Sequence, residues 1–333
     1  MDLVSIVVPV YNTSAYLGNC VESLIAIDSD KVQFEIILVN DGSTDGSGAM
    51  CDGYALRDSR IVVIHQENLG ASAARNSGLD VATGSYFMFV DSDDFVAPAI
   101  IDYLYTLLMQ HNADISMCNC IIVDASGNNE HKLERSVKGK ISGEEAFSKV
   151  ADGMFYSVAC TLFRRSTWGD TRFPENMAVN EDAFVMSSVL LKASVIYLGS
   201  DACYYYRKHN SSSSSSFTHA KFKDAVGFQR AYLSLASKHY HGKQMHYYID
   251  NYVYRLFTIS LVCHLAKYTI NAVELDHLVA CAERVISRKG VKLGLRSTTA
   301  YCLLKLPLPL HHAALSVLAL VAKLKERVKR LQA

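Results

Sequence analysis

The sequence reads Tyr86-Phe87-Met88-Phe89-Val90-Asp91-Ser92-Asp93-Asp94 where an apolar run ends in three carboxylates within four positions. The apolar part has the length and composition of a short buried strand. Clustered anions repel one another and are costly to hold together unless a cation binds them. A divalent metal that carries a diphosphate meets this need, since hard oxygen ligands suit Mg²⁺ or Mn²⁺. The alternative is a solvated turn in which an Asp, most simply Asp94, caps the next helix.

Short apolar runs alternate with helical patterns on both sides of this segment, which is typical of βα units and a mainly parallel sheet. The predicted strands are Ser5–Val10, Phe34–Asn40, Ile61–Gln66 and Tyr86–Val90. The predicted helices are Ala15–Ala26, Gly46–Arg57, Gly70–Ala82 and Ala97–Asn112. In such an open sheet the ligand crevice lies beyond the carboxyl ends of the strands. The polar segments that follow these four strands should therefore converge on one crevice.

The pattern becomes mixed later in the chain and then helical. We assign to the first domain the predicted strands Ser116–Val123, Val158–Phe163, Val195–Leu198 and Tyr204–Arg207, and a helix Glu181–Lys192. The run Ser211–Ser216 is too small and polar to pack, and the residues after it are helical in pattern. This predicts an α/β domain over residues 1–216 and a helical C-terminal region over residues 217–333.

Composition narrows the class of protein. Half of the 333 residues are hydrophobic, so the chain can bury a sizeable core. Lys plus Arg and Asp plus Glu both total 33, and this zero net charge predicts no general attraction to nucleic acid. The nine cysteines are scattered without metal-site spacing, which favours reduced thiols in the cytoplasm. Neither a signal peptide nor a membrane-spanning helix is predicted.

The polar motifs, taken together and in this order, resemble the family 2 glycosyltransferases with the GT-A nucleotide-diphospho-sugar fold. The resemblance covers residues 3–210 and rests on Pro9-Val10-Tyr11-Asn12, Asp41-Gly42-Ser43-Thr44-Asp45, Glu67-Asn68-Leu69-Gly70 with Ala74-Arg75-Asn76, and Asp91-Ser92-Asp93-Asp94. It implies an α/β fold whose Rossmann-like mixed sheet is flanked by helices. Arg75 and Asn76 lie among small residues of a helix that should pack on this sheet, so both need a buried polar partner.

The resemblance also implies a donor site for a UDP-sugar. Tyr11 would stack on the uracil ring, Asp41 would accept the uracil N3 hydrogen, and Arg75 would reach a uracil carbonyl oxygen. Pro9, Asn12 and Asn68 would belong to the same wall, in which Asn40 stands where the family often has an Asp. Asp91 would bind the ribose or the metal, and Asp93 would hold the Mn²⁺ or Mg²⁺ that bridges the two phosphates.

The segment from Tyr204 to Ser212 resembles the part of the family that closes over the diphosphate. Arg207 and Lys208 would offer positive charge to the phosphates. His209 is either a third metal ligand or a solvated loop residue. The tyrosines are expected to pack on the sheet.

The catalytic base is expected at Asn180-Glu181-Asp182-Ala183-Phe184, which opens a helix and fits the family's Glu-Asp motif. Asp182 corresponds to the base, and Glu181 would support it. The alternative is an ordinary acid in the first turn of a helix, which the helix dipole favours. With Asp182 as base, the resemblance implies a single displacement that inverts the anomeric centre and glycosylates a hydroxyl of a glycan or lipid-linked oligosaccharide.

Two other functions remain open at this point. One is a transferase that loads a sugar onto polyprenyl phosphate, an acceptor that already carries an anion and needs no strong base. The other is a non-catalytic protein of this fold that binds a glycan or nucleotide, against which Asp91, Asp93 and Asp182 speak. The expected setting is bacterial capsule, lipopolysaccharide or exopolysaccharide synthesis, in the cytoplasm or at the inner face of the plasma membrane.

The C-terminal segment 313–330 lies outside the resemblance. Leu and Val recur at helical spacing, and one acid, Glu326, stands among the basic residues Lys323, Lys325, Arg327, Lys329 and Arg330. This composition suits a helix on an anionic membrane surface. It suits equally a helix packed on its own domain or on the second subunit of a homodimer.

Overall fold

The computed structural model of this chain describes residues 1–133, 137–150, 154, 157–177, 179–209, 218–265, 268, 270–286, 293, 295–316 and 318. The chain divides into two compact units. The first comprises residues 1–177 and 181–212, and the second comprises residues 178–180 and 213–333. The domain boundary predicted at residue 216 falls within residues 210–217, outside the described residues, and stays a prediction.

The first unit is a mixed sheet with helices packed on it. Its strands are β1 (Leu3–Val10), β2 (Gln33–Asp41), β3 (Ile61–Gln66), β4 (Tyr86–Phe89), β5 (Phe95–Val96), β6 (Ile115–Val123), β7 (Asn129–Leu133), β8 (Gly139–Ile141), β9 (Thr161–Arg164) and β10 (Ile196–Arg207). Its helices are α1 (Ser14–Ile25), α2 (Ser47–Arg57), α3 (Ala71–Val81), α4 (Ile100–Gln110), α5 (Gly143–Val150), α6 (Arg165–Trp168) and α7 (Glu181–Lys192).

The strand order is β3-β2-β1-β4-β9-β6-β10-β5, with β7 beside β6 and β8 beside β10. β1 pairs in parallel with β2 and β4, and β2 pairs in parallel with β3. β9 runs antiparallel to both of its neighbours and joins this parallel part to the parallel pair β6 and β10. The predicted fold class, a mixed sheet flanked by helices, is therefore confirmed.

β1, β2 and β4 lie where the sequence predicts them because both of their faces are buried, whereas β3, at the edge of the sheet, keeps exposed residues such as Val62. In β1, Ile6 and Val8 belong to the core on one face of the sheet, and Val7 is equally buried on the other. Strands covered on both faces appear as continuous apolar runs instead of alternating patterns. On the face of Val7, Gly78 of α3 approaches so closely that an added Cβ would lie 2.4 Å from Val7 Cγ1.

The later part of the first unit differs from the prediction in several elements. The two strands predicted at Val195–Leu198 and Tyr204–Arg207 are one strand, β10, whose pairing with β6 shifts register between Leu198 and Tyr204. The sequence pattern did not predict β5, β7, β8, α5 or α6. These are short elements, so they carry too few residues for a clear hydrophobic period.

The second unit is helical, as expected of the C-terminal region. It contains α8 (His219–His239), α9 (Gly242–Leu265), α10 (Ala272–Ile286) and α11 (Leu295–Leu304), and residues 308–316 are also helical. Among the described residues, no helix is both long enough and apolar enough to cross a membrane. Of the predicted helix 313–330, residues 313–316 and 318 are described and the rest lies outside. Leu315, at its start, is buried.

Candidate active site

The polar segments that follow β1, β2 and β4 meet at one edge of the sheet. Asn12 Oδ1 accepts a hydrogen bond from the backbone nitrogen of Thr44 at 2.8 Å, which joins the first segment to the second. The Thr13 hydroxyl donates to Ser92 Oγ at 3.0 Å, which joins the first segment to the fourth. These bonds show that the predicted convergence is present in the fold.

The carboxylate of Asp41 hydrogen-bonds the segment that follows β3. This carboxylate is buried, and Oδ1 accepts from the side chain of Gln66 at 2.8 Å and from the backbone nitrogen of Leu69 at 2.9 Å. Oδ2 accepts from the backbone nitrogen of Gly70 at 2.8 Å. A carboxylate offers about four acceptor sites, so Oδ2 keeps capacity for one further donor. The contact with uracil N3 assigned to Asp41 stays a prediction.

Gly42 is required by the same junction. Its φ of +69° lies in the left-handed region that favours glycine, and a Cβ at this position would lie 2.8 Å from the backbone nitrogen of Asn68. Any larger residue would push the segment of Asn68 away from β2. The glycine of the Asp41-Gly42 motif therefore sets the distance between two walls of the site.

The side chains assigned to the nucleotide wall lie at the outer edge of this junction. Tyr11 is 46% exposed, which leaves its ring accessible for stacking on a planar ligand. Asn12 has a φ of 50°, a conformation that Asn tolerates better than most residues. Asn68 is exposed and Pro9 is half-buried at the end of β1. Their positions agree with a wall at the mouth of a site, and their contacts with a nucleotide stay predictions.

Asp91 and Asp93, the two carboxylates assigned to the metal, each lie against one basic side chain. Asp91 Oδ1 lies 2.9 Å from Arg75 Nη2. Asp93 Oδ2 lies 2.8 Å from His209 Nε2, so the sequence motif around His209 does reach the acidic loop. Burial raises the pKa of Asp93 above its ordinary value, and the negative charge of Asp91 raises it further. A bound cation would relieve this repulsion.

The third carboxylate, Asp94, is turned into the protein. It is 1% exposed and accepts hydrogen bonds from the Tyr204 hydroxyl at 2.7 Å and from the backbone nitrogen of Arg207 at 2.8 Å. Asp94 therefore fastens the acidic loop to the end of β10. Tyr204 is fully buried, so the expectation that it packs on the sheet is met and its hydroxyl adds this polar contact.

The structure places Arg207 differently from the expectation that it faces the diphosphate. It is 4% exposed, and its guanidinium donates to the backbone oxygens of Asp93 at 2.8 Å and Ala125 at 2.9 Å and to Asn19 Oδ1 at 2.6 Å. Arg207 is the last residue of β10 and points inward. The next residue, Lys208, is exposed, and its contact with a phosphate stays a prediction.

The residues around Asp93 fit a hard divalent cation that is shared with a ligand. No group of three or more His, Cys, Asp or Glu side chains is arranged as a complete metal site in the described part of the chain. Mg²⁺ characteristically uses one or two carboxylates together with substrate phosphates, so a complete cage of protein ligands is not required. Asp91 and Asp93, with His209 beside them, meet that smaller requirement.

Arg75 links the acidic loop to the helix that carries the predicted base. The side chain is 6% exposed, and Nη1 lies 3.2 Å from Glu181 Oε1 and 3.3 Å from Asp182 Oδ1, while Nη2 pairs with Asp91. Burial alone would lower the pKa of Arg75, but the three carboxylates outweigh burial and hold the pKa above its ordinary value. The polar partner that the sequence required for Arg75 is thus a set of three carboxylates.

Asp182 has the environment of a proton acceptor. Its side chain is 18% exposed, and Oδ2 accepts from the backbone nitrogen of Val158 at 3.3 Å. Oδ1 is buried and accepts no hydrogen bond from the residues that the structure describes. Burial raises the pKa of Asp182 to about 6, with Arg75 acting against the rise and Glu181 and Asp91 adding to it.

Asn76 hydrogen-bonds the loop at Phe173 and Glu175, which precedes the predicted base in the chain. Its side-chain nitrogen donates to the backbone oxygen of Phe173 and to Glu175 Oε1, both at 3.0 Å, and its Oδ1 accepts from the backbone nitrogen of Phe173 at 2.9 Å. The sequence indicated that Asn76 needs a polar partner but not which one. These partners lie almost a hundred positions away, so no local pattern could have identified them.

The sequence of this chain matches the family described as Glycosyl transferase family 2 over residues 5–168. It is 33% identical over 220 residues to glycosyltransferase GlyG of Streptococcus pneumoniae serotype 4, a match that spans 62% of this chain and 71% of GlyG. It is 35% identical over 224 residues to glycosyltransferase GlyA of the same organism. That match spans 62% of this chain but 30% of GlyA, so the chain covers less than a third of that relative.

The fold is similar to that of a crystal structure of residues 1–349 of S. aureus TarS in complex with UDP-GlcNAc. The TM-score is 0.71 with 20% sequence identity, and the match covers 94% of this chain and 90% of the TarS chain. At this identity the similarity concerns the fold alone. It confirms the GT-A arrangement that the motifs implied.

Proposed function

This chain belongs to glycosyl transferase family 2, and we propose that it is a metal-dependent, inverting member of that family. It transfers a hexose or an N-acetylhexosamine from a UDP-sugar to a hydroxyl group of a glycan or a lipid-linked oligosaccharide. The complex of TarS with UDP-GlcNAc supports a UDP-sugar as donor, because the two proteins share a fold. The donor wall at Tyr11, Asn12 and Asp41 supports the same assignment.

The observation that carries this proposal is the state of Asp182. The buried Oδ1 of Asp182 lies 3.3 Å from Arg75 Nη1 in an ion pair but accepts no hydrogen bond within the described residues, so it keeps capacity for a donor that a ligand supplies. An acceptor hydroxyl is such a donor. With a pKa raised to about 6, Asp182 is ionised near neutral pH and still basic enough to take a proton, as a general base requires.

The reaction is a single displacement. The acceptor hydroxyl donates its proton to Asp182 while its oxygen forms a bond to the anomeric carbon. The bond between that carbon and the β-phosphate oxygen breaks, and its electron pair leaves with UDP. Attack from the face opposite the diphosphate inverts the centre, so an α-linked donor gives a β-linked product.

Asp91 and Asp93, with His209 as a third candidate, would hold the Mn²⁺ or Mg²⁺. When bound, the metal neutralises negative charge that develops on the departing diphosphate. Lys208 is exposed at the same edge and can add positive charge to the phosphates. Arg207 has a structural role, because its buried guanidinium donates a hydrogen bond to the backbone oxygen of Asp93 in the acidic loop.

We place the reaction in the assembly of a bacterial surface polysaccharide, on the cytoplasmic side of the membrane. The glycosyltransferases GlyG and GlyA support a bacterial setting. The acceptor is then a growing glycan or its lipid-linked form.

The test is a screen for UDP release from UDP-glucose, UDP-galactose and their N-acetyl forms in the presence of Mn²⁺. We expect release from at least one donor, since slow donor hydrolysis needs no acceptor, and a β-linked product once an acceptor is found. Retention of the α-configuration would contradict the inverting assignment. Absence of UDP release from every donor would contradict the proposed activity. Full turnover of Asp182→Asn with polyprenyl phosphate would favour the polyprenyl-phosphate transferase instead.

A further inference from the structure

We propose that Arg75 is a positioning residue that holds the base Asp182 and the donor-side Asp91 in one fixed arrangement, and that it does not read the uracil ring. This inference rests on the proposed function, since it assigns Arg75 a task within that reaction. It departs from the role that the sequence motif implies. The contacts of the Arg75 guanidinium support this inference.

Both terminal nitrogens of the guanidinium contact carboxylates, while Nε is buried and has no hydrogen-bond partner among the described residues. Nη2 lies 2.9 Å from Asp91 Oδ1, and Nη1 lies 3.2 Å from Glu181 Oε1 and 3.3 Å from Asp182 Oδ1. The contacts with Asp91 and Glu181 are charge-assisted hydrogen bonds, which are the strong ones, and the contact with Asp182 is an ion pair. To reach a uracil oxygen with Nη1, Arg75 would have to leave Glu181 and Asp182, whose side chains are mostly buried, and separating a largely buried ion pair is strongly unfavourable.

The surroundings of Arg75 hold it in this orientation. The guanidinium lies over the ring of Phe173, with its central carbon 5.3 Å from the ring centroid. Asn76, the residue after Arg75 in α3, hydrogen-bonds both the backbone oxygen and the backbone nitrogen of Phe173. One short segment of α3 therefore fixes the loop, the arginine and, through the arginine, the first turn of α7.

The arrangement matters because the base and the donor carboxylate come from distant parts of the chain. Asp91 follows β4, whereas Glu181 and Asp182 open α7. The base must face the acceptor side of the anomeric carbon while Asp91 faces the donor. Arg75 is a rigid planar fork that contacts both, so it sets their separation in a way that a flexible lysine cannot reproduce.

The first test is a double-mutant cycle between Arg75→Met and Asp182→Asn, read as UDP release and as UDP affinity by calorimetry. We expect Arg75→Met to lower kcat by roughly 10²-fold, the effect of a small misplacement of reacting groups. The Kd for UDP should change by less than kcat, since Arg75 is not assigned a contact with the uracil ring. In the Asp182→Asn background the same change should cost less than in the unaltered chain, because the part of its effect that passes through Asp182 is already lost.

The second readout is the pH profile of kcat/KM. The charged groups that face Asp182 are Arg75, which lowers its pKa, and Glu181 and Asp91, which raise it, while Ser157 and Val158 offer neutral donors. Without the cation of Arg75 the acid limb should therefore move to higher pH. Arg75→Lys keeps the charge and should restore part of this shift but less of kcat, since lysine lacks the fork.

Arg57→Met is the matched control, because Arg57 forms a surface ion pair with Glu22 far from the acidic loop. Circular dichroism and thermal unfolding identify variants that fail to fold, and Arg75→Lys then takes the place of Arg75→Met in the cycle. A rise in the Kd for UDP with unchanged kcat would overturn the inference and return Arg75 to the uracil wall. An equal loss in both backgrounds would also overturn it. If the unaltered chain releases no UDP, the proposed function fails, and the inference fails with it.

Discussion

Three carboxylates within four positions have three different environments in the loop after β4. Asp91 pairs with a buried arginine and keeps 37% of its side chain exposed. Asp93 pairs with a histidine and keeps 25% exposed, whereas Asp94 is buried and receives two hydrogen bonds from β10. A turn redirects the side chain at each step, so the acidic motif contains two candidate ligands and one residue, Asp94, that holds the loop against β10. Asp94 is not the helix cap that the sequence allowed, since α4 begins after Ala99 without a side-chain cap. The sequence motif alone does not show which of the three carboxylates has which role.

We therefore expect metal dependence to reside in Asp93 and not in Asp94. UDP release should fall to background in excess EDTA and return on addition of Mn²⁺. Asp93→Asn should raise the Mn²⁺ concentration needed for half-maximal rate by at least about tenfold, the cost of weakening a metal site. Asp94→Asn should lower the melting temperature instead and leave the Mn²⁺ response near normal. Full turnover in EDTA would show that no metal takes part.

Asp182→Asn should retain the affinity for UDP but lose roughly 10²- to 10⁴-fold in turnover, the usual contribution of a positioned general base. The base must be unprotonated to act, and burial raises its pKa to about 6. Rate should therefore fall as the pH drops below about 6 and should be level above it.

The matched control for this substitution is Asp170→Asn, since Asp170 is an exposed acid outside the site. Turnover and the acid limb should be unchanged in this variant. If Asp182→Asn turns over at a near-normal rate, or if its acid limb matches that of the unaltered chain, Asp182 is not the base.

At the scale of elements, the first four strands could be predicted to within about two residues. In β1, β2 and β4 burial on both faces gives an apolar run, and in the edge strand β3 the β-branched run Ile61–Ile64 gives the signal. β10 could not be predicted in this way. The segment Gly199-Ser200-Asp201 interrupts the apolar pattern and predicts two strands, but a shift of register carries one strand across it. The backbone nitrogen of Asp201 donates to the Tyr103 hydroxyl at 2.9 Å, a contact from α4 that the local pattern does not encode.

The same limit applies to the site. Convergence of the loops after β1 to β4 follows from strand direction, and the sequence therefore located it. The partners of Arg75 depend on where the fold places the first turn of α7, and Glu181 lies 106 positions from Arg75. The burial of Arg207 likewise depends on the side from which β10 meets the acidic loop. Motifs locate the loops, but the direction of each charged side chain is set by tertiary packing.

Helix α3 must approach the sheet closely for Arg75 to reach its carboxylates, and Gly78 permits that approach. An alanine Cβ there would lie 2.4 Å from Val7 Cγ1 and 3.3 Å from Val39 Cγ2, both in the buried sheet. Gly78→Ala should therefore destabilise the fold by about 1–3 kcal/mol, the usual effect of overpacking. Thermal or denaturant unfolding measures this.

Gly53→Ala is the control, because Gly53 lies in α2 with no atom near the added Cβ. Alanine favours a helix by up to about 1 kcal/mol over glycine, so this variant should be as stable as the unaltered chain or more stable. If Gly78→Ala behaves like Gly53→Ala, α3 does not pack against the sheet as closely as described.

At the scale of the whole molecule, acidic and basic residues balance, so strong electrostatic attraction must come from local clusters. The basic cluster with the least compensation lies in residues 323–330, outside the described residues. Before it, Ser297, Ala300, Leu304 and Leu315 are buried in the second unit. A truncation that tests the cluster must therefore begin after residue 318, because an earlier one would remove part of a helical core.

We expect the full chain to bind vesicles that contain phosphatidylglycerol more strongly than vesicles of phosphatidylcholine alone. Each Lys or Arg near an anionic leaflet contributes roughly 1 kcal/mol, and this attraction is screened by salt. The five basic residues involved are Lys323, Lys325, Arg327, Lys329 and Arg330.

Removal of residues 319–333 should abolish pelleting with anionic vesicles while UDP-sugar hydrolysis persists, since every proposed donor residue precedes them. Replacement of the five by Gln should have the same effect without shortening the chain. If the full chain fails to bind anionic vesicles at low salt, and the truncation lowers the melting temperature or changes the oligomeric state, the segment is part of the core or of a subunit interface.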